Sequence, residues 1–318
     1  MRLRCAILDD YQNVALSLAD WSRIEDRVET AVFREHIDSE QELAERLQHF
    51  PIVVIMRERT PFPASLFARL PKLRLLVTTG MRNASVDLAA AAAHGVVVSG
   101  TGGAGAGTAE LTWALILGLA RSLVAENQSL RLNGKWQSTI GADLYGKRLG
   151  IVGLGRIGTQ VAKVGQAFGM EVSAWSPNLT PERAEQAGVR YASKDDLLSA
   201  SDYVTIHLVF GERTKGIIGA RDLALLKSGA YLINTSRAPI VDQEALIDAL
   251  RAGRIAGAGL DVYDIEPLPP RHPYRFLPNV LATPHIGYVT EAGYRAFFEQ
   301  AMENIEGFLN GSPLRTLY

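Results

Sequence analysis

The chain has 318 residues, enough for two domains at about 100–200 residues each, and its composition, 47% hydrophobic and 21% charged, suits a globular protein with a sizeable core. The 33 basic and 34 acidic residues leave a net charge of −1, which argues against a nucleic-acid-binding stripe and against a disordered acidic tail. Cys5 is the only cysteine, which excludes a disulfide framework or a cysteine metal site within one chain, and no metal centre is expected. The N-terminal arginines reach Asp9-Asp10 before any long apolar stretch, so no signal peptide is expected. The longest apolar helical run, residues 111–120, is interrupted by Thr112 and ended by Arg121, short of the ~20 residues of a membrane span. The expected setting is soluble and cytoplasmic, with no nucleic-acid or membrane partner.

The first hundred residues alternate strand and helix. Short β-rich runs fall at residues 4–8, 29–33, 52–56, 73–78 and 96–99. Helical patterns lie between them, at 41–47 with Leu43 and Leu47 four apart, and at the alanine-rich 86–93. Such alternation predicts a parallel sheet flanked by helices. Residues 99–107 then hold five glycines in nine positions, too many for a regular element. They read as a hinge that lines a cleft between two α/β units; the alternative is a flexible linker. A long helix is expected from Thr108 to about Asn133, with Leu111, Leu115, Leu119 and Leu123 as its apolar stripe.

The next segment carries the strongest signal. An apolar run from Leu149 ends in Gly153-Leu154-Gly155-Arg156-Ile157-Gly158, a helical pattern follows over 156–168, and another strand follows at 170–175. In this strand–turn–helix context the pattern predicts dinucleotide binding. Gly153 allows the tight turn, Gly155 lets a pyrophosphate approach the backbone, and Gly158 lets the helix pack closely on the strand. Backbone N–H groups and the positive end of the helix dipole then face the phosphates. Six strands are read at 150–152, 171–175, 203–206, 230–233, 255–260 and 280–282, with a helix at 243–250 and a last helix at about 290–309. This is the pattern of a doubly wound dinucleotide fold.

Ligands of such sheets bind at the carboxyl ends of the strands. After the second strand stands Ser176-Pro177-Asn178, where NAD-selective sites place an acid. Ser176 cannot repel a 2′-phosphate, so the cofactor is read as NAD or NADP; Arg183 is seven residues on, and Ser176 as a plain turn residue is the alternative. After the fourth, fifth and sixth strands stand Asn234-Thr235-Ser236-Arg237, Asp261-Val262-Tyr263 with Glu266-Pro267, and Pro284-His285-Ile286-Gly287. Singly, each charged residue reads as a solvated or satisfied polar group. Together they suit hydride transfer at a secondary alcohol, which needs a base for the hydroxyl proton. A histidine, with a reference pKa of ~6.5, fits that role. Glu266 would orient the ring of His285, and Arg237 would bind a carboxylate bidentately.

These four ordered motifs resemble the D-isomer-specific 2-hydroxyacid dehydrogenases, the family of formate, D-lactate, glyoxylate/hydroxypyruvate and 3-phosphoglycerate dehydrogenases, over residues 52–311 at least. The resemblance implies two doubly wound parallel-sheet α/β domains. A Rossmann-type NAD(P)-binding domain, residues 101–287, is inserted into a flavodoxin-like substrate-binding domain made of residues 1–100 and 288–318. It implies hydride transfer between NAD(P)H and C2 of a 2-oxo or D-2-hydroxy acid, with Arg237, Glu266 and His285 as the catalytic three. Around the cofactor it implies Asp261 near the nicotinamide carboxamide, Thr108 at the nicotinamide end, Arg156 and Ile157 at the pyrophosphate, and His207 on the adenosine side. Thr235, Ser236 and Gly287 belong to the same implied set, with Gly153, Gly155, Gly158 and Ser176. For substrate, the loop Gly80-Met81-Arg82-Asn83 would cradle a carboxylate on its amides. Arg57 or Arg59 would read a distal anionic or polar group; the alternative is a surface Arg–Glu–Arg cluster, and Arg82 reads as a surface charge. A homodimer is implied through the cofactor domain, by the helix after the hinge and an arm to Trp136. The chain departs from the family pattern at Arg237-Ala238-Pro239, where Arg-Gly is usual, and at Phe210 in the His207-Leu208-Val209-Phe210 segment. The rival reading is a catalytically weak NAD(H)-sensing scaffold of the same fold. Its mark would be a lost catalytic set, whereas Arg237, Glu266 and His285 are all present.

Overall fold

The computed structural model describes residues 2–103 and 105–317; Ala104, inside the glycine-rich stretch read as a hinge, and the two terminal residues lie outside the described residues. The chain separates into two compact units, one of Met1–Gly105 with Thr290–Tyr318, the other of Ala106–Val289.

The first unit holds strands β1 (Leu3–Ile7), β2 (Val28–Val32), β3 (Ile52–Ile55), β4 (Leu75–Thr78) and β5 (Val97–Gly100), in the order β2-β1-β3-β4-β5. The pairings among these five strands are parallel, and Ser99 of β5 adds an isolated antiparallel bridge to Thr316. The apolar run Ile-Val-Val-Ile in β3 and the near-continuous one Leu-Leu-Val-Thr in β4 are buried throughout, as central parallel strands covered on both faces require. The order is the flavodoxin-like one, which reverses direction between β1 and β3. The helix Glu291–Leu309 completes this unit. Thr290 caps it by accepting the Gly293 N–H at 3.1 Å, and Tyr294, Phe297, Phe298, Met302 and Ile305 are buried along it. Buried Asn304 donates to the Gly100 carbonyl at 2.8 Å, anchoring the end of β5 to that helix.

The second unit holds β6 (Arg148–Val152), β7 (Glu171–Trp175), β8 (Arg190–Tyr191), β9 (Tyr203–Ile206), β10 (Tyr231–Asn234), β11 (Gly257–Leu260) and β12 (Val280–Ala282). Their order is β12-β11-β10-β9-β6-β7-β8, again all parallel. This is the doubly wound dinucleotide-binding arrangement with one further strand, β12, beyond β11. Six strands are legible in the sequence; the seventh, β8, is two exposed residues at the sheet edge and carries no apolar run.

The long helix expected over residues 108–133 is instead two helices, Gly107–Ala120 and Leu123–Arg131, bent by 64°. Ser122 adopts φ +50°, a left-handed conformation that ends the first helix. The two halves have different environments. Ala109, Thr112, Trp113, Leu115 and Ile116 are buried on the first, and no residue is buried on the second. Leu123, assigned to the apolar stripe, is therefore exposed, and the buried face is wider than the leucine stripe because the helix packs on both the sheet and the helix Arg156–Ala167. Among the described residues no single helix is long and apolar enough to cross a membrane; only this bent pair passes that test by length and composition.

Candidate active site

The glycine turn follows β6 directly. Gly153 has φ +107°, and its N–H donates to the Trp175 carbonyl at 2.8 Å, which ties the turn to the end of β7. A Cβ on Gly153 would stand 2.6 Å from the His207 carbonyl carbon, and one on Gly158 would overlap the Gly153 carbonyl oxygen. These two glycines are demanded by the protein's own packing. Gly155 is different: a Cβ there would meet nothing within 4 Å, and the residue caps the helix Arg156–Ala167 without a side-chain hydrogen bond. Its bare backbone faces open space at a helix start, as a pyrophosphate would need, so the residues fit a dinucleotide. Arg156 and Ile157 form the first turn of that helix. The His207 N–H donates to the Val152 carbonyl at 2.8 Å, which sets His207 beside the same turn. Its Nε2 lies 2.9 Å from Thr205 Oγ1, and burial pushes the imidazole down to about 3, so the ring is neutral near pH 7. Ser176, half-buried after β7, accepts the Leu179 N–H on its carbonyl at 3.1 Å and so opens a turn.

The three candidate catalytic residues leave adjacent strands at one edge. Asn234, at the end of β10, pairs with Leu260 of β11, which pairs with Ala282 of β12. Beyond these ends the chain supplies Arg237, Glu266 and His285. His285 Nδ1 lies 2.6 Å from Glu266 Oε2, and Glu266 Oε1 accepts the Tyr263 N–H at 3.0 Å. The carboxylate thus fixes the ring and leaves Nε2 pointing away from it. His285 has φ +53°, a conformation rare for a side-chain-bearing residue. Buried Asp261 holds it there. Asp261 Oδ1 accepts the Ile286 N–H at 2.8 Å and the Thr283 hydroxyl at 2.7 Å, and Oδ2 accepts the Gly287 N–H at 2.9 Å. Burial pushes the Asp261 carboxyl above its ordinary value, while those three donors pull the other way. The Tyr288 ring stands edge-on to His285 at 5.4 Å between centroids.

Arg237 donates from Nη1 to the Ser236 carbonyl at 2.8 Å. Its loop is shaped by Asn234, whose Nδ2 donates to the Arg237 carbonyl at 3.1 Å and whose Oδ1 accepts the Ser236 N–H at 3.0 Å. Thr108 donates to the Gly287 carbonyl at 3.2 Å, Thr112 donates to the Thr108 carbonyl at 2.8 Å, and the Thr112 and Thr235 hydroxyls are 2.8 Å apart. Thr108, Thr235 and Gly287 are therefore joined through Thr112, which in the sequence reads only as an interruption of an apolar run. Its only signal there is a threonine four positions after Thr108 on an otherwise apolar helix face. Thr283, which donates to Asp261, was likewise not singled out.

In the first unit Arg57 follows β3 with φ +53°. Its N–H donates to Thr79 Oγ1 at 2.9 Å and its carbonyl accepts from Asn83 Nδ2 at 2.6 Å. The guanidinium lies over Gly80 (φ +98°) so closely that a Cβ there would overlap it. Met81 and Arg82, which follow, are exposed. Arg59 is placed differently. It donates to the Asp9 carbonyl at 2.9 Å, reaches the Tyr294 hydroxyl at 3.5 Å and covers the Tyr11 ring at 4.4 Å. Of the two arginines, Arg57 goes with the glycine loop and Arg59 with a buried network around Asp9.

Residues 113–287 match the family model described as the NAD binding domain of D-isomer specific 2-hydroxyacid dehydrogenases. The chain is 36% identical over 280 residues to a D-3-phosphoglycerate dehydrogenase of Bacillus subtilis, covering 87% of this chain and 52% of that one. It thus spans about half the length of that relative. It is 38% identical over 255 residues to a glyoxylate reductase of Aeropyrum pernix, covering 77% of this chain and 76% of that one. Among solved structures, a phosphoglycerate oxidoreductase from Vibrio cholerae superposes with a TM-score of 0.93 at 35% identity, covering 98% of this chain and 100% of that one.

Proposed function

As the chain belongs to the D-isomer specific 2-hydroxyacid dehydrogenase family, we propose that it is an NAD(P)-dependent oxidoreductase interconverting a small 2-oxo acid and its D-2-hydroxy acid. The observation that carries this reading is the His285–Glu266 contact of 2.6 Å at the carboxyl edge of the nucleotide-binding sheet. A nicotinamide cofactor, when bound, supplies or accepts the hydride at C2. Gly153, Gly155, Arg156, Ile157 and Gly158 hold its pyrophosphate, Ser176 and His207 the adenosine side, and Thr108, Thr235, Ser236, Asp261 and Gly287 the nicotinamide end. In reduction, His285 Nε2 gives a proton to the C2 oxygen; in oxidation it takes that proton from the hydroxyl. Glu266, on Nδ1, fixes the tautomer and aims the ring. Arg237 binds the substrate carboxylate and polarises the carbonyl oxygen. In the first unit, the amides of Met81 and Arg82 after Gly80 cradle the substrate carboxylate, and Arg57 reads a distal anionic or polar group.

Initial rates with NADH and NADPH against glyoxylate, hydroxypyruvate, pyruvate, phenylpyruvate, 2-oxoglutarate and 3-phosphohydroxypyruvate test the reading. Turnover of at least one acid is expected. A silent panel with dinucleotide still bound would instead favour the nucleotide-sensing scaffold. For the acid turned over, Arg57→Ala is expected to raise KM by about 10–100-fold, the range for losing a charge-assisted hydrogen bond. An unchanged KM would remove Arg57 from the substrate site.

The proposed assembly is a homodimer through the nucleotide-binding unit. Leu132, Trp136, Ile140 and Tyr145 of the segment after the bent helix pair are 71–101% exposed, a run of large apolar side chains that a second copy would cover. Light scattering should give twice the chain mass of 34.6 kDa. A monomeric mass at micromolar concentration would rule the dimer out.

A further inference from the structure

We propose that the second unit prefers NADP(H) to NAD(H), with Ser176 and Arg183 receiving the 2′-phosphate; this rests on the dinucleotide reading of the glycine turn. The Gly153–Trp175 hydrogen bond of 2.8 Å sets the residue after β7 beside the turn that receives the pyrophosphate. In this fold that position meets the 2′-oxygen of the adenosine ribose. A carboxylate there accepts hydrogen bonds from the ribose and repels a phosphate. Here residues 176–181 read Ser-Pro-Asn-Leu-Thr-Pro, with no carboxylate. The turn is fixed from both ends. The Leu179 N–H donates to the Ser176 carbonyl at 3.1 Å with the Leu179 side chain buried, and Thr180 caps the helix Pro181–Gln186. Ser176 therefore stays half-buried at the strand end, with a hydroxyl able to donate to a phosphate oxygen.

The positive charge comes from Arg183. It stands seven positions after Ser176, but its side chain reaches back, and Nη1 stands 3.5 Å from the Asn178 carbonyl, over the same turn. A hydrogen bond at that length is weak, and a phosphate dianion is a far stronger partner for a guanidinium than one carbonyl. A carboxylate in the helix's first turn, Glu182, is engaged by the Thr180 hydroxyl, which holds it below the usual carboxylate range. The local balance is thus one guanidinium over the turn and one hydroxyl-bearing residue at the strand end, with no acid among residues 176–181.

Dissociation constants settle this without turnover. Tryptophan fluorescence or calorimetry would be read for NADH, NADPH and the fragments AMP and 2′-phospho-AMP on the intact chain. NADPH should bind about tenfold or more tightly than NADH, and 2′-phospho-AMP more tightly than AMP by a similar factor, the scale of one charge-assisted hydrogen bond. Arg183→Ala should erase that advantage while leaving the NADH and AMP constants unchanged, and Arg183→Lys should restore part of it. Ser176→Asp should invert the order. NADH binding as tightly as NADPH in the native chain, or Arg183→Ala weakening both dinucleotides equally, overturns the preference and leaves the dehydrogenase reading standing. Failure of every nucleotide to bind overturns both.

Discussion

His285→Ala is expected to lower kcat by about 10²–10⁴-fold, the usual contribution of a positioned acid–base group. Dinucleotide affinity should change little, for a structural reason. The loop carrying His285 is held by Asp261 through the Ile286 and Gly287 N–H groups and the Thr283 hydroxyl, none of which involves the imidazole. Loss of the ring leaves that clamp in place. The carboxylate of Glu266, 26% exposed, can be solvated and keeps the Tyr263 N–H as a donor. Single-turnover rates and a separate fluorescence titration with NADH and NADPH distinguish the two effects. Turnover near that of the native chain would remove His285 from the proton-transfer role.

The second large effect divides the glycine motif into two kinds of glycine. Gly158→Ala drives a methyl into the Gly153 carbonyl, which is rigid backbone, and overpacking of this kind costs about 1–3 kcal/mol. The melting temperature should fall by about 2–12 °C for a unit of this size. Gly155→Ala places its methyl in open space, on a backbone with φ −93° that alanine adopts freely. Stability should hold within about 0.5 kcal/mol. On the proposed dinucleotide reading the methyl stands where the pyrophosphate would approach, so dinucleotide affinity should fall by about tenfold or more. If Gly155→Ala kept full affinity, the turn would not be the pyrophosphate site.

The strand pattern of both sheets was legible because central parallel strands are near-continuous apolar runs between turn residues, as in Ile52–Ile55 and Tyr203–Ile206. The glycine turn was legible because its context is local. Three features were not. Ser122 breaks a helix with a residue that ordinarily carries no left-handed signal, and the break shows only in which half is buried. The strand Arg190–Tyr191 is too short and exposed to have a pattern. The different surroundings of Arg57 and Arg59 depend on partners distant in sequence, Gly80 and Asn83 for one, Asp9 and Tyr294 for the other. For the same reason the pairing roles of Thr112 and Thr283 have no signal in the sequence. Their partners, Thr235 and Asp261, are 123 and 22 residues away, and nothing local marks the pairing.

The discontinuity of the first unit bears on how the chain is made. Its five strands leave the ribosome early, but the helix carrying Tyr294, Phe297 and Phe298 and the Asn304 contact that anchors β5 come only after all of Ala106–Val289. At translation speeds of about 5–20 residues per second, the nascent sheet waits roughly 10–40 s for its covering helix. The nucleotide-binding unit is contiguous in sequence and can close first. During that interval the apolar surface later covered by the last helix is open to chaperones or to neighbouring chains on the same messenger. Expression rate and temperature should therefore influence the yield of folded protein more through the first unit than through the second.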